Sequence, residues 1–287
     1  MDYLKAYREM ISLRGLTDHT IKSYSTYIRS YLDYLQTILG RQPEDVSWEE
    51  LREYIRWLQK DRSLSDRTIN HCIPQLRFFT LYVLHKPWDP TQLPMRKFDS
   101  YLPFVPTQKE AELFISSLPD LKPKAMVSLM YSSGLRVGEV CSLRYCDIQR
   151  KNMRIHVTHS KNRSDRYAIL SQKALDILTE YWFAYNRPTG WLFPKQTDPS
   201  RPIDTFYIMR HMRAHEDSLG WEHRITCHSF RHAFGTHLYE NGADLLTIKT
   251  LMGHKSLNST LLYIHLASYQ ARNVISPFDR IGGGSLE

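Results

Sequence analysis

Residues 227–263 read CHSFRHAFGTHLYENGADLLTIKTLMGHKSLNSTLLY, two helical apolar patterns with polar, chemistry-bearing side chains set between them. Ala233, Phe234 and Leu238 carry an apolar helical face after His228, and Leu245, Ile248 and Leu251 do the same before His254. Gly242 and Gly253 sit where each helix must end and the chain must turn. Between those apolar positions stand His228, Arg231, His254 and Tyr263. Such a set suits chemistry on a phosphodiester. A guanidinium forks two oxygens, imidazoles donate or relay protons, and a phenol can act as a nucleophile. Alone the set is ambiguous, because helical histidines are usually surface or satisfied core groups and most tyrosines pack.

Upstream, an apolar helix over Ala125 to Tyr131 is ended by Gly134, and GLRVGEVCSLRYCDI follows. Leu135, Val140 and Leu143 face a core, while Arg136 and Glu139 lie one turn apart on another side. A surface pair of that kind contributes only a few tenths of a kcal/mol. The period then changes. MRIHVTHS alternates around Ile155 and Val157, RYAIL is a second short strand, and SKNRSD is the polar turn between them, with Lys161 at its mouth.

H-x-x-R-H at His228 to His232, then Leu-Met-Gly-His ending at His254, then Tyr263, resembles the C-terminal signature of the tyrosine recombinases, the phage integrase and Xer family. The resemblance implies that Tyr263 is the nucleophile, that Arg136 and Arg231 are the two catalytic arginines, and that Glu139 buttresses Arg136. His228 then handles the proton of the phenol, His254 adds a donor to the transition state, and Lys161 is the general acid on a mobile hairpin. The usual family turn is Gly-Lys-Gly; here it reads Ser160-Lys161-Asn162, and Arg163 or Arg166 are cations that can share its task. The implied reaction makes a 3′-phosphotyrosine and exchanges strands through a Holliday junction, with no metal, cofactor or ATP. The implied partners are double-stranded DNA sites and three further copies, a homo-tetramer on synapsed DNA that is a monomer or weak dimer when free.

The segment to residue 86 reads as four helices. Leu4, Tyr7 and Ile11 mark the first, and Ile21, Tyr24, Ile28 and Tyr31 the second. Ser47 with Glu50 is a capping box opening the third, and Ile69, Ile73, Leu76 and Phe79 mark a fourth in which Pro74 predicts a kink. TDHTIKSY and LSDRTINHCIPQLRFF resemble the core-binding, SAM-like domain of the same family, which clamps DNA opposite the catalytic domain. Lys22, Arg29, Arg67 and Arg77 there are candidate phosphate contacts, against the plain reading of solvated helix faces. Residues 87–106 carry five prolines and read as an interdomain linker in which Arg96 and Lys97 can track a DNA backbone. Arg163 is a further candidate contact. Thr107 with Glu110 caps the start of the second domain, 107–281, and residues 282–287 (GGGSLE) read as an added tail.

The expected fold is therefore mainly α (α+β): a four-helix domain followed by a mostly helical one with a small antiparallel sheet. A formal charge of +8 favours a polyanionic partner. No apolar run reaches the roughly 20 residues that span a bilayer, and the N-terminus lacks a signal-peptide core, so the expected location is cytoplasmic, on DNA. The four cysteines show no paired spacing and read as free thiols. His211 and His215, like His228 and His232, stand four apart without the intervening Glu of a zinc motif, and read as helix surface rather than metal ligands. No Gly-rich phosphate loop is present, which argues against an ATP-driven enzyme. Three alternatives stand beside the recombinase reading: a topoisomerase-like enzyme that only relaxes DNA, a non-cleaving DNA-binding regulator of the same fold, and a basic helical protein with no DNA role.

Overall fold

The computed structural model describes residues 2–99, 101–158 and 165–267. The chain divides into two compact units, Met1–Ser100 and Tyr101–Glu287.

The first unit holds helices α1 (Tyr3–Ser12), α2 (Asp18–Tyr34), α3 (Trp48–Lys60) and α4 (Asp66–Tyr82), with one π-helical turn, Leu35–Leu39, extending α2. Short polar side chains start each helix. Asp2, Thr17 and Ser65 accept from first-turn amides, and Ser47 and Glu50 close a reciprocal capping box. The apolar stripes meet in one core containing Tyr7, Ile28, Tyr54, Ile69 and Phe79, and the Tyr7 hydroxyl donates to Gln75 Oε1 at 2.8 Å inside it. Where Pro74 predicts a kink, α4 runs unbroken and Pro74 lies on its exposed side. The segment expected as a linker is partly packed: Leu93 is buried in this core and Trp88 lies edge-on to Trp48. Apolar side chains that far beyond the fourth helix add to the buried area, so the unit extends to residue 100.

The second unit opens with α5 (Gln108–Ser117), capped by Thr107 and Glu110, and α6 (Leu121–Ser133). Ala125, Met126, Val127, Leu129 and Met130 are all fully buried, so α6 is apolar on every side and forms the axis of the core. The short α7 (Val137–Cys141) precedes a three-stranded antiparallel sheet of β1 (Ile148–Gln149), β2 (Arg154–Val157) and β3 (Arg166–Ile169). The register pairs Ile155 with Ala168 and Val157 with Arg166. Then come α8 (Gln172–Ala184), a second hairpin of β4 (Pro194–Lys195) and β5 (Asp198–Pro202), and α9 (Thr205–Leu219). The hairpin has no counterpart in the sequence reading, since DPSRP contains none of the branched or aromatic residues that mark a strand. Three helices finish the described chain: α10 (Cys227–Glu240), α11 (Leu245–Met252) and α12 (Asn258–Leu266). Phe234, Ile248, Met252 and Tyr263 form their shared core. Among the described residues no helix is long and apolar enough to cross a membrane, and all four cysteines are free.

Candidate active site

Gly134 ends α6 with φ +62°, and a Cβ there would lie 2.3 Å from Phe234 Cδ1. Both the dihedral and the close ring require glycine at this turn. Two residues on, Arg136 is the N-cap of α7, and its backbone N–H donates to Glu139 Oε2 at 2.8 Å. Its Nη1 donates to Glu139 Oε1, also at 2.8 Å. The carboxylate is 4% exposed and has a second cation. Arg166, at the start of β3, donates from Nη1 to Oε1 at 2.9 Å and from Nη2 to Oε2 at 2.8 Å. Burial alone would raise the pKa of Glu139, but the Arg166 fork, together with Arg136, outweighs it and holds the group at about 2. The pair expected from sequence is thus a trio built around a buried carboxylate.

Helix α10 presents His228 and Arg231 one turn apart, the first exposed and the second 4% exposed. Arg231 donates from Nη1 to the carbonyl of Gly134 and from Nη2 to that of Met252 at 2.6 Å. It therefore ties the end of α6 to the end of α11. Burial, with Arg136 nearby, lowers its pKa to about 10, so it stays charged at neutral pH.

Gly253 ends α11 in the left-handed region, and His254 follows with Nδ1 2.9 Å from Thr260 Oγ1. Burial first, then Arg231 and Arg136, push its pKa down to about 4. Its ring lies 6.2 Å from that of Tyr263, only 17° from parallel, and His232 flanks the same tyrosine at 6.1 Å. Tyr263 is 1% exposed, and burial drives its pKa up to about 12 against the pull of Arg231 and Arg136. The phenol rests on bare backbone: a Cβ on Gly235 would lie 2.5 Å from Tyr263 Cζ.

The structure therefore brings Arg136, Glu139, Arg231, His254 and Tyr263 together. His228 stands on the same helix, on the exposed side. Lys161 and Arg163 lie outside the described residues. Arg166, expected as a cation that can share the task of Lys161, turns inward to Glu139. Four participants escaped the sequence reading in these roles: Arg166 as a clamp, Gly235 as a seat, Thr260 beside His254, and His232 beside Tyr263. Of these only Gly235, in F-G-T, carried a signal, because a glycine inside a helical pattern often marks close approach.

In the first unit Lys22, Arg29, Arg67, Arg77 and Lys97 are exposed, with Lys22 and Arg29 lining one shallow pocket of α2. Arg67 lies over the Phe98 ring at 5.2 Å. Arg96 is already engaged: its guanidinium donates to Asp66 and its backbone N–H to Asn70. Among the described residues no group of three or more His, Cys, Asp or Glu could hold a metal ion. His215 is buried against Ser117 and the Phe114 carbonyl, and His211 Nδ1 lies 2.8 Å from the carbonyl of Tyr207.

Comparison with known proteins agrees along nearly the whole chain. Residues 107–269 match the Phage integrase family, and residues 3–90 match the Phage integrase, N-terminal SAM-like domain. A putative integrase/recombinase of Sinorhizobium fredii is 33% identical, covering 91% of this chain and 86% of that protein. The tyrosine recombinase XerD of Halalkalibacterium halodurans is 27% identical over 92% of this chain and 93% of its own. Among solved structures, the Tn1549 transposon integrase in complex with circular intermediate DNA shares the fold. Its TM-score is 0.73 at 20% identity, over 95% of this chain and 98% of that one.

Proposed function

The chain belongs to the phage integrase family, and on that footing we propose how its residues divide the work of cutting and rejoining DNA. The protein is a tyrosine recombinase, an enzyme of site-specific DNA recombination. The observation that carries the assignment of roles is the convergence of Arg136, Arg231 and His254, from three separate elements, around one buried tyrosine.

A phosphodiester seated between the guanidiniums of Arg136 and Arg231 has both non-bridging oxygens held by charged donors. Charge on those oxygens grows in the pentacoordinate transition state, so fixed cations stabilise that state more than the ground state. His254, neutral in the free protein, gives one further donor. Arrival of the phosphate offsets the repulsion from the two arginines. Tyr263 Oη attacks phosphorus, the P–O5′ bond breaks, and a 3′-phosphotyrosine remains beside a free 5′-hydroxyl. A phenol near pKa 12 does not ionise unaided at neutral pH, so its proton passes to His228 as the bond forms. Lys161 delivers a proton to the departing 5′ oxygen. The new ester preserves the energy of the broken one, and attack by a 5′-hydroxyl from a second duplex completes the exchange without ATP.

Two rounds of exchange on four copies of the chain pass through a Holliday junction. Lys22, Arg29, Arg67, Arg77 and Lys97 of the helical unit contribute phosphate contacts on the DNA, with Arg163 in the catalytic unit. The test uses two linear duplexes carrying the same site and different end labels, beside a supercoiled plasmid carrying that site. Recombinant products with both labels support the reading. Relaxed supercoils without exchanged ends, or tight binding with neither product, would overturn it.

A further inference from the structure

The reaction proposed above uses two guanidiniums, and a third lies among them without a role in it. We infer that Arg166 is a positioning residue that holds Arg136 and His254 in one geometry; this rests on the catalytic reading just given. Three contacts point to it. Its side chain is 8% exposed and grips both oxygens of Glu139 at 2.8–2.9 Å. Glu139 Oε1 is the same atom that receives Arg136 Nη1, so the orientation of the carboxylate set by Arg166 fixes where the Arg136 guanidinium stands. Arg166 Nε donates to the Leu251 carbonyl at 3.1 Å.

The third contact is steric. A Cβ on Gly253 would lie 2.7 Å from Arg166 Cδ and 3.0 Å from Nε, so the arginine stem lies across bare backbone at the residue before His254. Gly253 also has φ +63°, and a side chain is disfavoured there on both counts. One side chain thus braces the turn that delivers His254 and the carboxylate that delivers Arg136. Nε, Nη1 and Nη2 of Arg166 each donate to Glu139 or Leu251, and the side chain is 8% exposed, so it braces the site from within. Arg166 is also the first residue of β3 and pairs with Val157, so a shift of this hairpin strand moves both catalytic groups together. Lysine keeps the charge but supplies a point donor in place of the planar fork, so it cannot span both carboxylate oxygens and the Leu251 carbonyl.

The test compares the full chain with Arg166→Lys and Gly253→Ala, which disturb the same contact from opposite sides, and with Arg154→Lys as a control on the same sheet. Duplex affinity, single-turnover formation of the covalent adduct, and the histidine titration by NMR are read for each. The inference predicts that Arg166→Lys and Gly253→Ala both cleave about 100-fold more slowly, the loss expected for a misplacement near 1 Å. Duplex affinity should change less than about 3-fold, since neither residue touches DNA, and the His254 pKa should rise from about 4 toward the ordinary histidine value as its turn loosens. Arg154→Lys should cleave like the parent. Cleavage by Arg166→Lys within about 3-fold of the parent overturns the inference. So does a cleavage loss matched by the loss of DNA binding, which would make Arg166 a phosphate contact. The parent's own adduct is a separate check: its absence at Tyr263 overturns the catalytic reading, while the His254 titration still decides whether Arg166 positions that residue.

Discussion

Gly235→Ala isolates the placement of Tyr263 from every other property of the site. The added methyl would sit 2.5, 2.6 and 2.7 Å from Tyr263 Cζ, Cε2 and Cε1. Carbon atoms pack best at about 3.5–4.0 Å, so the ring must withdraw by roughly 1 Å. Overpacking of this kind costs about 1–3 kcal/mol. Replacing glycine inside α10 returns about 1 kcal/mol of helix propensity. The net destabilisation is therefore about 2 kcal/mol or less, and the chain stays folded. Activity responds differently. A nucleophile displaced by about 1 Å from its phosphorus loses about 100-fold in rate. Gly235 lies buried beneath the phenol, so duplex affinity should hold. The assay is single-turnover cleavage of a nicked duplex at saturating protein, beside a thermal melt and a binding titration. A rate within about 3-fold of the parent would refute the reasoning. A faster rate would refute it as well, since it would mean that Gly235 stows the tyrosine instead of presenting it.

Three further outcomes are expected. Glu139→Gln strands two guanidiniums in a buried site and should cost about 3–5 kcal/mol in urea unfolding at pH 7. The sign with pH follows from a folded pKa of about 2, below the ordinary carboxylate value: the stabilisation is complete above about 4.5 and is lost as pH falls through 2, so the gap between variant and parent should close in acid. Lys161→Ala should slow cleavage of a normal phosphodiester. It should have little effect when sulfur replaces the 5′ oxygen, because a thiolate leaves without needing a proton; equal slowing on both substrates would remove Lys161 as the acid. Lys22→Ala combined with Arg29→Ala should lower the slope of log affinity against log salt by about two, and an unchanged slope would place α2 away from DNA.

What was legible in the sequence was local. Gly134 as the end of α6, the Arg136 and Glu139 spacing, and the apolar stripes of α10 and α11 all lie within a turn or two of their partners, where helical period governs the geometry. The residues that hold the site together are distant in the chain. Arg166 reaches Glu139 across 27 positions, and Arg231 reaches the Gly134 carbonyl across 97. No period links such pairs, so Arg166 read only as one more hairpin cation. Gly235 failed for a related reason. Its value lies in the ring of Tyr263 above it, which only the packing of α12 on α10 brings there. The β4–β5 hairpin was missed because its strands are too short and too polar to alternate. Trp88 and Leu93 were missed because prolines around them spoke for a linker while their side chains joined the core of the first unit.

The central claim is that Tyr263 becomes covalently joined to DNA. The direct measurement incubates the full chain with duplexes bearing a cognate site, denatures the mixture, and identifies the peptide carrying the nucleotide by mass spectrometry. One modified peptide is expected, linked through Tyr263 to a 3′ phosphate, with no adduct from Tyr263→Phe. A nucleotide on any other side chain, or an adduct that survives Tyr263→Phe, would contradict it.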